Sequence, residues 1–279
     1  MATHQSISDH TAQQSRRRSA VDRMLDDLQS QGRSLVTIDE LAHGTELTLL
    51  ATRRQMEHLS HRYARIQGKP AAYLLVPPEH RSRGAPPITW WLDAYFHLRN
   101  QPYYVGLLSA AEMHGSSQQA VQVTQVLTVK PMRPIETGLL RLEFFVKKNL
   151  TQTPVLQPPG LRAPLAISSP EATALDLIAY SHQIGGVDRA AHVIAGMKPS
   201  MTIVGLRKAL NAESESAVKQ RLGYVFQVLG WEKQATEVQR HLTGKLTPAV
   251  LQPRAETLRG ALVLPWRVID NVDLKDRLE

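Results

Sequence analysis

Apolar positions near the start of the chain recur at helical spacing and are separated by short polar turns. Thr37 with Glu40 three positions later is a capping box, so a short helix is predicted to begin there and to break at residues 43–45. A second helix is predicted over residues 49–59, because apolar side chains recur every three or four residues along one face. That face comprises Leu49, Thr52, Met56, Leu59 and Tyr63, whereas Arg54, Glu57, His58 and His61 take the opposite face with Arg53 at the seam.

A hairpin is predicted immediately after the second helix. Residues 63–66 and 72–76 have the composition of short strands, and they flank a turn signal at residues 67–70. A further amphipathic helix, from Val21 to Leu28, can pack beneath these elements. Two helices joined by a tight turn and followed by a hairpin form a winged helix-turn-helix, so we assign residues 19–76 to a domain of this type.

Positive charge concentrates in the same part of the chain. Between Thr48 and Arg83 only Glu57 and Glu79 oppose seven basic residues, an excess of five (seven minus two) within a net charge of +8. The B-DNA major groove is roughly 12 Å wide and admits one α-helix, and neutralised phosphates release counterions. The sequence therefore predicts binding to double-stranded DNA. The seven basic residues are Arg53, Arg54, Arg62, Arg65, Lys69, Arg81 and Arg83.

Six residues are candidates for DNA contact. Arg53 and Arg54 suit paired hydrogen bonds to guanine, each worth about 1–3 kcal/mol of discrimination between bases. Arg65 and Lys69 suit contacts of the hairpin with phosphate, which fix the register without reading bases. The alternative is a helix-turn-helix that docks a protein or is purely structural, with its arginines on a solvated face. The complete set is Thr48, Arg53, Arg54, His58, Arg65 and Lys69.

Length and composition are those of a globular protein with two domains. The chain has 279 residues, of which 42% are hydrophobic and 21% charged. It contains no cysteine, which excludes disulfides and thiolate metal sites and fits a reducing cytoplasm. A pI near 9.8 fits a nucleic-acid partner, and also an acidic protein or a membrane surface.

Membrane insertion and export are not expected. No run of 18 apolar residues predicts a transmembrane helix. Residues 16–18 are a triplet of arginines, but Asp22, Asp26 and Asp27 follow and prevent an apolar signal segment. We therefore expect a cytoplasmic location and no membrane partner.

The rest of the chain predicts an α+β protein with a larger C-terminal domain. Residues 1–18 are interpreted as a disordered basic arm that touches phosphates, or equally as a floppy tail. Residues 77–87 carry two proline pairs and are predicted to be a linker, and residues 88–279 form the second, mixed domain with a small sheet and a helical bundle. Its predicted elements are helices at 90–98, 107–113 and within 170–242, strands at 121–129, 140–146 and 161–167, and an edge strand or docking segment at 262–266.

Three passages of the second domain resemble, as a set, the AbiEi family of antitoxins from type IV toxin–antitoxin pairs. They run from Tyr103 to Gly115, from Ser169 to Leu177 and from Gln220 to Tyr224. With the preceding winged helix, the resemblance covers roughly residues 20–245. The final 30-odd residues match no part of the family pattern. The choice of Arg53 and Arg54 rests on helix geometry and not on a family motif.

The resemblance implies a function that composition and spacing do not. Proteins of this family repress their own operon by binding inverted repeats in its promoter. They counteract a partner toxin that looks like a nucleotidyltransferase, often without a stable complex, and so limit phage spread or stabilise mobile DNA. The second domain is implicated in neutralising the toxin and in cooperative DNA binding.

Catalysis is not expected, although one group of residues offers an alternative. Glu171 has an explanation as the last residue of a capping box that starts at Ser168, although a second interpretation makes Ser169 the cap with Pro170 at the first helical position. Asp176 lies about 140° away from Glu171 around the helix, so the two carboxylates do not converge. His58 and His61 lack a third metal ligand. We therefore expect no enzyme activity, metal or cofactor, and retain two alternatives, a metal-dependent nucleic-acid enzyme targeted by its winged helix and a module that binds an acidic protein. The catalytic candidates are Glu171 and Asp176, near Tyr104, Glu112 and His114.

Overall fold

The computed structural model describes residues 18–68, 70–116 and 123–278. Its described residues fall into two compact units. The first takes in the chain up to Asn100 together with Ile135–Arg141 and Gly160–Pro164, and the second takes in Gln101–Pro134, Leu142–Pro159 and the chain from Leu165 onward. The arm predicted over residues 1–18, except Arg18, and the DNA-contact candidate Lys69 lie outside the described residues.

The first unit contains the predicted helices and hairpin. Its three strands are β1 (Leu35–Thr37), β2 (Tyr63–Ile66) and β3 (Ala72–Leu75), and they form an antiparallel sheet in the order β1-β3-β2. Strand β1 is additional to the predicted hairpin. A strand of three residues gives too short an alternation for the sequence to reveal it. The elements are α1 (Ala20–Ser30), β1 (Leu35–Thr37), α2 (Ile38–Thr45), α3 (Leu49–Glu57), β2 (Tyr63–Ile66) and β3 (Ala72–Leu75).

A small apolar core joins α1 to the helices and sheet that follow it. The side chains of Val21, Leu25 and Leu28 on one face of α1 are buried. They cluster with Leu41 of α2 and Met56 of α3, as the sequence predicts for an amphipathic helix beneath the pair. The hydrophobic effect therefore holds the outer surface of α3 in a fixed orientation relative to α1 and α2.

The boundaries of α2 and α3 differ from the prediction. Helix α2 continues through Gly44 to Thr45 and ends at Glu46, which adopts a left-handed φ of 56°. Gly44 lies against the end of the Met24 side chain of α1 and does not break the helix. Leu49 is 43% exposed and therefore does not belong to the buried face of α3, which turns Thr52 and Met56 inward.

The proline-rich segment and the helix after it belong to the first unit. Residues 78–83 form 3₁₀ turns and Ala85 is buried, whereas residues 77–87 are predicted to be a linker. Trp91 donates from Nε1 to the carbonyl of Pro86 (3.4 Å), and the next helix is α4 (Leu92–Leu98). The first stretch of the unit thus runs to Asn100, and the aromatic side chains of Trp91, Tyr95 and Phe96 in it are buried.

The second unit is built on a mixed sheet and a helical bundle. Strand β5 (Thr124–Thr128) lies in the interior of this sheet, in the strand order β7-β5-β4-β9-β8. It is buried on both faces, whereas its alternation predicts a half-buried strand. A strand is predicted over residues 161–167, but only Ile167 of that stretch lies in a strand, β9 (Ile167–Ser168). Residues 160–164 belong to the first unit. The strands are β4 (Tyr103–Val105), β5 (Thr124–Thr128), β6 (Ile135–Thr137, in the first unit), β7 (Leu140–Val146), β8 (Val155–Leu156) and β9 (Ile167–Ser168).

Six helices surround this sheet or pack together beside it, as the helical pattern predicts. Helix α6 is buried along almost its whole length, which makes it the centre of the bundle. Ser169 caps α6 by accepting a hydrogen bond from the backbone N–H of Ala172 (3.2 Å), and Pro170 takes the first helical position. The helices are α5 (Leu107–Met113), α6 (Pro170–Ala179), α7 (Val187–Gly196), α8 (Ile203–Ala212), α9 (Ser216–Val228) and α10 (Glu232–Arg240).

The last 30-odd residues form a third small sheet in the second unit. β11 lies at its edge in the order β10-β12-β11, which agrees with the edge-strand option for residues 262–266. Trp266 packs against Gly223 of α9, and Tyr224 donates to Asp270 (2.6 Å), so this segment is tied to the bundle. The protein is therefore a mixed α+β protein. The final elements are β10 (Ala249–Val250), β11 (Ala261–Val263), β12 (Val268–Asp270) and α11 (Leu274–Leu278).

Candidate nucleic-acid interface and the buried polar network of the second unit

The outer face of α3 carries the arginines that the sequence selects as DNA contacts. Arg53 and Arg54 are exposed. Arg54 lies on the side of the helix opposite to Thr52 and Met56, and Arg53 lies at the edge of that side, about 60° from Met56. Neither guanidinium group forms an ion pair with another residue in the described part of the chain. Their hydrogen-bond donors are therefore open to a partner from solvent.

The other candidates in this unit have different surroundings. Thr48 is exposed, but its hydroxyl caps α3 by accepting a hydrogen bond from the backbone N–H of Ala51 (3.2 Å). His58 is the exposed residue that follows the last turn of α3, and Arg65 is exposed on β2. Helix α3 and the hairpin thus present Arg53, Arg54 and Arg65 to solvent together.

Arg62 is one of the seven basic residues counted between Thr48 and Arg83, but its side chain has a structural role. Its side chain is only 8% exposed, and its Nη1 pairs with the carboxylate of Asp22. Its Nη2 donates to Asp26 (2.5 Å) and to the amide oxygen of Gln29 (2.9 Å). The sequence could not reveal this, because the partners lie on α1, more than 30 positions earlier. Without Arg62, the sequence between Thr48 and Arg83 holds six basic against two acidic residues, an excess of four.

We expect Arg62→Met to destabilise the first unit by about 1–3 kcal/mol, because the buried carboxylate of Asp22 loses its main partner. The loss is limited because Arg18 remains 3.2 Å from Asp22. The midpoint of urea-induced unfolding measures the change. The matched control is Arg23→Met, which removes an exposed arginine of α1 and should stay within about 0.5 kcal/mol. Equal effects of the two variants would contradict the buried pair.

The second unit holds a buried polar network between its sheet and α6. The Tyr104 hydroxyl donates to Oδ2 of Asp176 (2.8 Å), and the Lys147 ammonium donates to Oδ1 (2.5 Å). Burial raises the pKa of Asp176, and the positive charge of Lys147 opposes that shift. Burial also raises the pKa of Tyr104, so its hydroxyl stays protonated and keeps donating. The network joins the end of β7 to the middle of the central helix.

The proposed capping box of Glu171 is wrong. The Glu171 carboxylate accepts from the backbone N–H of Thr202 (2.6 Å) and from its hydroxyl (3.1 Å), at the start of α8. Ser169, not Ser168, caps α6, as the second sequence interpretation holds. Glu171 therefore connects two helices, and Asp176 is held by Lys147 and Tyr104. Both carboxylates of the enzymatic alternative have structural partners.

The remaining catalytic candidates differ in their surroundings, since Glu112 is exposed on α5 whereas His114 is partly buried. His114 Nε2 lies 2.7 Å from the carbonyl of Ser168, and burial lowers the pKa of this imidazole. A neutral ring that donates from Nε2 satisfies that carbonyl. Within residues 18–68, 70–116 and 123–278 there is no group of three or more histidine, aspartate or glutamate side chains arranged to hold a metal ion.

A helix able to span a membrane is also absent from the described residues. None of their helices combines the length and the apolar character needed to cross a bilayer.

The passages that carry the family resemblance are brought together in this second unit. The first forms β4 and α5, the second begins α6, and the third lies in α9. The Tyr104–Asp176 hydrogen bond connects the first two passages directly. In the third passage, Gln220 donates to the carbonyl of Trp266 (2.8 Å). Residues of all three passages therefore make buried polar contacts within the second unit.

The second unit contains most of a stretch that matches the model of a known protein family. Residues 104–228 match the family model of the AbiEi antitoxin C-terminal domain. The match takes in 125 of the 279 residues, and over that stretch the chain is similar to the AbiEi family of antitoxins.

A solved structure has a similar fold. The crystal structure of the RV2827C protein from Mycobacterium tuberculosis matches with a TM-score of 0.64 and 14% sequence identity, over 93% of each chain. At this identity the match shows similarity of fold. Among curated proteins, none matches this chain.

Proposed function

We propose that the protein is an autorepressor and antitoxin of a type IV toxin–antitoxin pair. In this proposal the first unit is a winged helix-turn-helix that binds inverted repeats in the protein's own promoter. The second unit counteracts a nucleotidyltransferase-like toxin in the cytoplasm. The observation that carries the DNA-binding part is the outer face of α3, where Arg53 and Arg54 are exposed and have no acidic partner among the described residues.

The geometry of the first unit supports insertion of α3 into the major groove. The unit has the order helix, strand, helix, helix and hairpin, and its core holds the inner face of α3 against α1 and α2. A braced helix of nine residues is about 13.5 Å long, which suits contact with a few base pairs. Arg53 and Arg54 would donate to guanine O6 and N7. The DNA-contact set remains Thr48, Arg53, Arg54, His58, Arg65 and Lys69.

The capping role of Thr48 refines its part in this set. Because its hydroxyl oxygen accepts a hydrogen bond from Ala51, its hydroxyl hydrogen is left to donate to a phosphate oxygen. The exposed position of Arg65 on the hairpin suits a second phosphate contact. Inverted repeats require two copies of the protein, with half-sites about one helical turn of DNA or a multiple apart.

In our proposal the antitoxin counteracts the toxin without catalysing a reaction. Support comes from the antitoxin domain match and from the structural partners of Glu171 and Asp176. The metal-dependent enzyme alternative requires those carboxylates to face a substrate. The proposal therefore includes no catalytic residue, no metal and no cofactor.

DNA binding is tested by titrating the protein's own promoter duplex against a duplex of shuffled sequence in a gel-shift assay. We expect tighter binding to the promoter and an affinity that falls steeply with salt, because phosphate contacts release counterions. Arg65→Ala should weaken binding to both duplexes by a similar factor and lower the salt slope by about one. Equal affinity of the unmodified protein for both duplexes would reject the autorepressor proposal.

The control for Arg65→Ala is Lys208→Ala, which removes an exposed charge from α8 of the second unit. It should leave both the affinity and the salt slope unchanged. A loss of affinity confined to the promoter duplex in Arg65→Ala would instead show that this residue reads bases.

A further inference from the structure

An exposed leucine lies at the centre of the proposed DNA-binding face. Leu50 is 60% exposed, the second residue of α3. At 3.6 residues per turn it lies about 60° from Arg53 and about 40° from Arg54, between the two arginines and one turn before them. Buried Thr52 lies about 160° away on the opposite side.

The exposure of Leu50 is a property of this face and not of a frayed helix end. Thr48 caps the first turn of α3 through the backbone N–H of Ala51, so the backbone that carries Leu50 is fixed. Its neighbour Leu49 is also 43% exposed. The first turn of the helix therefore presents a fixed apolar surface, and the next turn presents two guanidinium groups.

This combination fits one kind of surface in the major groove. Arginine donors match the acceptors of guanine, whereas an apolar side chain matches the C5-methyl group of thymine, the apolar group that bases display there. Cytosine and the purines offer no such methyl group. The positive charges beside Leu50 also match the phosphate backbone that borders the groove.

We propose that Leu50 reads thymine through its methyl group and is a specificity-determining residue of the operator. The inference rests on the proposed DNA-binding function and adds the base that this turn of the helix selects. One helical turn rises 5.4 Å and one base pair about 3.4 Å. The thymine therefore lies about one or two base pairs from the guanine that Arg53 or Arg54 contacts.

The experiment replaces each thymine of one half-site in turn by deoxyuridine, which removes the methyl group and keeps every hydrogen-bonding atom. Affinities are measured by gel shift for the unmodified protein and for Leu50→Ala. We expect one or two positions where uracil weakens binding about fourfold, the equivalent of one buried methyl group. In Leu50→Ala, affinity for the thymine duplex should fall by a similar factor, and uracil should have no further effect.

A second substitution of the DNA locates the thymine relative to the arginines. Replacing guanine by 7-deazaguanine removes the N7 acceptor, so Arg53→Ala or Arg54→Ala should become insensitive at the guanine that it contacts. That guanine should lie within one or two base pairs of the sensitive thymine. The control protein is Leu264→Ala, which removes an exposed leucine of the second unit and should keep the full uracil sensitivity.

Two results overturn the inference. Either uracil has no effect at any position in the unmodified protein, or the sensitivity survives in Leu50→Ala. With promoter binding intact, both leave the autorepressor proposal standing. If the unmodified protein does not prefer its promoter duplex to the shuffled one, the autorepressor proposal fails and this inference fails with it.

Discussion

The double variant Arg53→Ala with Arg54→Ala is expected to lose at least about 30-fold in affinity for the promoter duplex. Each paired hydrogen bond to guanine is worth about 1–3 kcal/mol, so losing two removes about 2 kcal/mol or more. Both side chains are exposed and form no ion pair among the described residues, so their removal should not disturb the fold. Gel shift measures the affinity, and circular dichroism checks the helix content.

The matched control is Lys208→Ala with Lys233→Ala, which removes two exposed charges from the second unit. It should bind the promoter like the unmodified protein. Co-expression with the partner toxin adds a second readout, because the α3 variant should still restore growth if neutralisation belongs to the second unit. Unchanged promoter affinity in the α3 variant would mean that α3 is not the reading helix.

Lys147→Met is expected to cost about 3–5 kcal/mol of stability in the second unit. The Asp176 carboxylate is 1% exposed, and Lys147 is its only cationic partner in the described residues. Losing the ammonium leaves a buried charge held by the Tyr104 hydroxyl alone. Urea unfolding measures the loss. Lys148→Met, the exposed neighbour, should change stability by less than about 0.5 kcal/mol.

Two further measurements separate an unpaired charge from lost packing. Adding Asp176→Asn removes the charge and keeps an acceptor for Tyr104, so the double variant should regain at least half of the loss.

The Lys147→Met deficit should also depend on pH. Burial already raises the pKa of Asp176, and loss of Lys147 raises it further. The penalty should therefore be absent below the usual aspartate pKa of about 3.9 and grow as the pH rises through the raised value. A deficit that is constant with pH would contradict this account.

Local patterns predicted most of the elements. The hairpin strands, the helix at 107–113 and the strand at 140–146 appear at the expected positions, because each is bounded by its own turn or capping residues. The helix start at Ser169 and Pro170 is equally local. Such features depend on neighbours within four positions, and one sequence contains all the information needed.

Residues with distant partners could not be predicted in this way. Arg62 looks like any surface arginine until α1 brings Asp22 and Asp26 against it. Glu171 fits a capping box by spacing, yet its carboxylate goes to Thr202, 31 positions later. The candidate DNA contacts Arg53 and Arg54 are exposed as expected, because helical periodicity alone decides which side of α3 they occupy. Their role at DNA stays a prediction.

The burial of Arg62 also limits how the first unit can be recombined with related proteins. A chimera that keeps this α1 but takes its hairpin and the preceding turn from a protein without a basic residue at position 62 would leave Arg18 as the only cationic partner of Asp22 among the described residues. Crossover points between α1 and residue 62 therefore separate two halves of one ion pair. Exchanges of the proposed DNA specificity should transfer only the outward positions of α3, and keep α1 and residue 62 from the same parent.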